Sequence, residues 1–174
     1  AKPVLLASLL AAFVLAGCVV TSVYPWYTAR DVVFDPALGG VWLGPDANAK
    51  TNEFWQFEKL GEQAYKLTIV DSDDKRTEFD ASLFTLDKRR YLDCLPRNRE
   101  GEGIPPHYLM RVDAVATALD LSLLDFGWLK KLVSDDPNAI RHVIVPKPLG
   151  ETGDGDFVLT ANTAELQAFL RKHA

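Results

Sequence analysis

Beyond residue 40 the chain repeatedly alternates apolar and polar side chains over short runs, the period of a strand with one face buried. Trp55 and Phe57 alternate with Gln56 and Glu58, and after a turn at Gly61, Tyr65, Leu67 and Ile69 share a face. The polar turn Asp71-Ser72-Asp73-Asp74 precedes Phe79, Ala81 and Leu83 on one side, after which the pattern slips to Phe84 and Leu86. That slip predicts a β-bulge near Ser82. Further strands are expected at Val41–Leu43, Tyr91–Leu95, His107–Asp113 and Ala118–Leu124, the last aligning Leu119, Leu121 and Leu123. His142–Val145 and Phe157–Thr160 complete the set.

Two segments change period. Trp128, Leu129, Leu132 and Val133 recur at helical spacing ahead of Pro137, predicting an inserted helix over about 126–134. Asn162 with Glu165 three residues later fits a helix cap, with Thr160 or Thr163 as alternative starts, and Leu166, Phe169 and Leu170 would form the buried stripe of a C-terminal helix. The fold class that follows is mainly β (α+β): an antiparallel meander of about eight or nine strands. Closing into a small barrel would leave it without exposed edges.

The first residues follow another pattern. Lys2 precedes an apolar run from Val4 to Ala16 interrupted only by Ser8. About thirteen residues suit the hydrophobic region of a secretory signal, whereas a spanning helix needs about 20. Extended to Val20 the run approaches a span, so an uncleaved anchor is the alternative. The run ends in Leu15-Ala16-Gly17-Cys18, which resembles the lipobox of bacterial lipoprotein precursors. The resemblance implies cleavage before Cys18, a diacylglycerol on its thiol and acylation of its amine. Several acyl chains anchor stably where one is marginal. It divides the chain into a signal peptide at 1–17, a lipid-anchored segment at 18–36 and one barrel-like domain at 37–174. Val19 stands where enteric lipoproteins retained in the inner membrane carry Asp. The location implied is the cell envelope, on the outer membrane facing the periplasm. Tyr24-Pro25-Trp26-Tyr27, in a stretch without sustained period, either packs on the domain or links it to the membrane interface; aromatic burial favours packing.

Leu38-Gly39-Gly40-Val41-Trp42 is similar to the G-x-W entrance of lipocalin-like (calycin) barrels, in which the tryptophan plugs the barrel bottom. The helix at about 126–134 departs from that pattern by preceding the last strands. The whole arrangement, including Leu159-Thr160-Ala161-Asn162-Thr163-Ala164-Glu165-Leu166-Gln167, resembles uncharacterised bacterial lipoproteins, a likeness that implies no activity.

Composition narrows the function classes. The 174 residues are 48% hydrophobic and 25% charged with a net charge of −5, a globular balance with no overall field for phosphate backbones. Nucleic acid is therefore not an expected partner. The basic clusters Lys88-Arg89-Arg90 and Arg171-Lys172-His173 read as a solvated turn and a helix end, where cations suit the helix dipole. His107, His142 and His173 are isolated and no metal-ligand spacing occurs, so neither metal nor cofactor is expected. The acidic turn at Asp71, Asp73 and Asp74 lacks the glycine and distal glutamate of an EF-hand loop. Gly150, Gly153 and Gly155 sit in an acidic loop unsuited to phosphate.

With Cys18 lipidated, Cys94 is a lone thiol. Cys94 with His107, oriented by Asp93 or Asp113, contains the parts of a thiol enzyme. Cys94 also alternates with Leu92, however, which places it on the buried face where free cysteines are inert. The expected role is a non-catalytic structural or protein-interaction domain, membrane-bound through Cys18, with an envelope protein as partner. The alternative is a lipocalin-like binder of a small apolar ligand, lipid or fatty acid, in a cavity lined by Trp55, Phe57, Tyr65 and Leu67.

Overall fold

The structure is a computed structural model and describes residues 19–43, 53–98, 103–115, 118–147 and 155–173. The alternating segments form seven strands in chain order: β2 (Gly40–Leu43), β3 (Phe54–Leu60), β4 (Ala64–Val70), β5 (Arg76–Leu86), β6 (Arg89–Pro96), β7 (His107–Val115) and β8 (Leu119–Leu123). Each pairs antiparallel with the next, as alternation with short turns predicts. The β5–β6 link is two residues long, and Asp87 and Lys88 both take positive φ (48° and 70°), the backbone of a tight hairpin turn.

Three more strands extend the sheet: β1 (Thr21–Ser22), β9 (His142–Val145) and β10 (Asp156–Leu159). β1 lies between β7, to which it is antiparallel, and β10, to which it is parallel. β9 then pairs with β10 as the outermost strand. The result is a mixed ten-stranded sheet running from β2 to β9, with β8 branching from β7. The expected barrel does not form. Closure would need β2 to pair with the end of the meander, but β7 divides its second edge between β8, along Met110–Val115, and β1, at His107 and Tyr108. The sheet is thereby led away from β2 and remains open.

The bulge expected near Ser82 is also absent. β5 keeps unbroken register from Phe79 opposite Pro96 to Leu86 opposite Arg89. The slip in hydrophobic phase instead records burial on both faces. Phe79, Ala81 and Leu83 point into the meander with Trp42, Trp55, Phe57, Tyr65, Leu67 and Leu92. Phe84 and Leu86 point to the opposite face, with Tyr91 and Leu109, under the helices. A register shift does occur in the β7–β8 pairing, between Val112 and Ala114.

α1 (Phe126–Asp135) and α2 (Thr163–His173) cover that second face through Leu129, Val133, Leu166, Phe169 and Leu170. Asp125 caps α1 by accepting from the Trp128 amide at 2.6 Å. Asn162 caps α2 through a reciprocal pair: its side chain accepts from the Glu165 amide (3.0 Å), and the Glu165 carboxylate accepts from the Asn162 amide (2.8 Å).

The aromatic segment after residue 18 packs into the domain. Trp26 is fully buried in the helix-side core beside Val20. Farther along, the Val33 amide donates to Leu83 O and the Thr85 amide to Asp31 O, along the part of β5 that extends beyond β4. Phe34 stacks on Tyr65 at 5.0 Å, and a 3-10 turn at Pro36–Leu38 leads into β2. Trp42 packs in the meander interior and donates through Nε1 to Leu38 O at 2.9 Å.

Candidate functional site

Cys18 lies outside the described residues, and Val19, the next residue, stands at the lip of an open groove of about 340 Å³. The register explains why this groove is apolar. One row of residues crosses the sheet on a single face through Ala81, Cys94, Tyr108, Thr21, Val158 and Val143, each the cross-strand partner of the next. At Ala81 and Cys94 the sheet curls and this face is the meander interior. From Tyr108 onward the sheet opens, and the same face turns outward. Val143, Val145 and Ile104 are 47%, 46% and 72% exposed, and the last two line the groove with Val158, Val19 and Pro106. A Lys147–Asp156 ion pair sits at its edge.

In the meander interior, where a ligand cavity was expected, several of the described side chains pack directly on one another. Tyr65, Leu67, Ala81, Leu92 and Cys94 expose no surface at all, so no water-sized space adjoins them. Tyr65 is tied down as well: its hydroxyl donates to the Asp35 carbonyl and accepts from the Asp35 amide.

The candidate thiol site is divided between two faces. Asp93 and His107 do meet, with Asp93 Oδ1 2.7 Å from His107 Nδ1, while Oδ2 accepts from the Trp26 amide at 2.8 Å. Both lie on the helix side of the sheet. Cys94 follows Asp93 in β6 and therefore points the other way, into the meander core. Burial, with the Asp93 charge adding to it, pushes its thiol well above the ordinary cysteine range. A thiol that is both neutral and opposite-facing cannot be activated by His107. Asp113 is not involved; it pairs with Arg111 and accepts from Ser122 farther along β7.

Alternation alone did not reveal Ser22, which faces His107 across the β1–β7 pairing. Ser22, His107 and Asp93 are the residue types of a hydrolytic triad. Ser22 nevertheless has no exposed surface, and its hydroxyl donates to the Tyr24 carbonyl at 2.8 Å. A substrate carbonyl cannot reach it. The cluster instead clamps the N-terminal segment, because a buried carboxylate and a buried amide satisfy each other.

The other candidate residues are engaged structurally. Asp71 Oδ1 accepts from the Asp73 and Lys75 amides, which makes the acidic turn a side-chain-capped hairpin. His142 Nδ1 lies 2.9 Å from Ile140 O, and its ring stacks on Phe157. His173 packs on Phe169 and Trp128, where burial, then the Lys172 charge, holds its pKa below the usual histidine value. In the basic cluster, Arg90 pairs with Asp35 at 2.8 Å. Gly150 and Gly153 lie outside the described residues. Among the described residues no three His, Cys, Asp or Glu side chains are grouped to hold a metal, and no helix is long and apolar enough to cross a membrane.

No protein-family model matches the chain, and neither curated proteins nor solved structures include a match.

Proposed function

We propose that the chain is a bacterial envelope lipoprotein anchored through Cys18, with a β domain that serves a non-catalytic structural or protein-interaction role. The observation that carries this reading is the order of features at its start: Lys2, a short apolar run, then Leu15-Ala16-Gly17-Cys18 three residues before the chain enters the sheet as β1. A processing site needs an accessible peptide, and an anchor needs a firm attachment to the domain it holds. β1, the buried Trp26 and its Asp93 contact supply that attachment immediately after the cysteine. The non-catalytic role is supported by the inward-facing Cys94 and by the engagement of Asp93 and His107 in packing. Among the described residues, the close packing of Tyr65, Leu67, Ala81 and Leu92 favours this reading over a ligand held in the meander.

Metabolic labelling with an alkynyl fatty acid tests the anchor. Cells producing the wild type or Cys94→Ser should incorporate label into the protein, and Cys18→Ser should not. Label that persists in Cys18→Ser, or is missing from the wild type, defeats the proposal.

A further inference from the structure

The apolar groove beside Val19 has a geometric relation to the anchor. Its valines belong to the sheet face that is buried in the meander, becomes half-buried at Thr21 of β1 and Val158 of β10, and is exposed at Val143 and Val145 of β9. On this face Val143 and Val145 of β9 are each about half exposed, whereas Ile144 between them points to the helix side opposite Phe157, and Ile104, which lines the groove with Val145, is the most exposed large apolar residue described. Contiguous apolar surface of this kind marks a contact with another apolar phase.

The position of the anchor selects that phase. Residue 18 is one peptide, about 3.8 Å of Cα separation, from Val19 in the groove lip. Acyl chains carried there enter the hydrocarbon of a bilayer, so the groove cannot lie far from the lipid surface. We propose that this end of the β1–β10–β9 face, led by the exposed Ile104, Val143 and Val145, rests against the bilayer into which the Cys18 lipid is inserted. This rests on the lipoprotein reading and adds an orientation to it: the groove face is down, and β2 at the far edge of the sheet is turned away. Apolar side chains at an interface penetrate about 5–10 Å, to the boundary of headgroups and acyl chains. Such seating would cover the exposed valines of an edge strand that otherwise invites pairing with other chains.

The test uses full-length protein purified from membranes and reconstituted in phosphatidylethanolamine–phosphatidylglycerol vesicles containing a lipid spin-labelled near the top of its acyl chain. A fluorophore is attached through Ile104→Cys, or through Val143→Cys as a second position, with Val41→Cys on β2 as reference. Cys94 is buried and stays unlabelled. Lipid quenching at Ile104 and Val143 should exceed that at Val41 by about threefold or more, with the reverse order for aqueous iodide. Equal lipid quenching at all three sites overturns the seating, as does stronger iodide quenching at Ile104 and Val143, which would leave the face to water or a protein partner. Intact mass of the same preparation separates the two failures. An acylated protein with a wet groove refutes only the orientation, and an unacylated one refutes the anchor itself.

Discussion

Asp93→Ala should be among the most damaging single changes in the domain. The Asp93 side chain is 2% exposed and holds two groups at once, the Trp26 amide at 2.8 Å and His107 Nδ1 at 2.7 Å. Alanine leaves the Trp26 amide buried without an acceptor and removes the partner of a ring that is itself 14% exposed. An orphaned buried donor costs about 1–3 kcal/mol, and hydrogen bonds to a charged group contribute about 1.5–3 kcal/mol, so a loss of about 3 kcal/mol is expected. For a domain of this size that lowers the Tm by roughly 6–12 °C. Asp93→Asn keeps an oxygen for the Trp26 amide and sets an NH2 group opposite His107 Nδ1, so it should cost only about 1 kcal/mol. Urea and thermal unfolding followed by tryptophan fluorescence would measure both. A cycle with His107→Ala should show a coupling of about 1 kcal/mol, as expected for residues in contact. If Asp93→Ala lies within about 0.5 kcal/mol of wild type, the ordinary range for an uninvolved surface site, the clamp does not hold the N-terminal segment.

Three further outcomes follow from the same structure. Native Cys94 should resist an aromatic disulfide reagent at pH 8 and react promptly in urea, because its thiol is enclosed and its pKa is raised; rapid reaction of the native protein would contradict that placement. Asn162→Ala should lower stability by about 1 kcal/mol through loss of the reciprocal cap of α2, read as a shift in urea midpoint. Burial alone would raise the Asp31 pKa, but hydrogen bonds from the Thr28 side chain, the Gln167 amide group and the Thr28 backbone outweigh it and hold the carboxyl below its usual 3.8. A depressed folded-state pKa stabilises above the unfolded value and loses that stabilisation as pH falls through the folded one. Asp31→Asn should therefore flatten the acid limb of the stability curve below about pH 4, and an unchanged limb would count against the shift.

Local elements were largely legible in the sequence, because alternation such as Tyr65-Leu67-Ile69 and Leu119-Leu121-Leu123 reports burial directly. The same signal misled at Leu83-Phe84, where a strand sandwiched between two cores resembles a strand out of phase. Closure of the barrel was not legible. It depends on which strand takes the second edge of β7, and the decisive competitor, β1, is two residues long and too short to show a period. In the candidate site, the phase shared with Leu92 placed Cys94 correctly in the meander core. The meeting of Asp93 with His107 was anticipated as part of a thiol site, but the Trp26 amide that completes the cluster comes from a segment without pattern. The groove was hidden for a related reason: alternation marked His142–Val145 and Phe157–Thr160 only as strands, and the register is what shows Val143 and Val145 on the face that emerges from the core.

The anchor itself is tested most directly by the intact mass of protein purified from bacterial membranes, wild type beside Cys18→Ser. The account predicts a wild-type mass equal to the chain from Cys18 onward plus diacylglycerol and one acyl chain, with that addition lost in the variant. An unmodified wild-type chain that still carries residues 1–17 would contradict it.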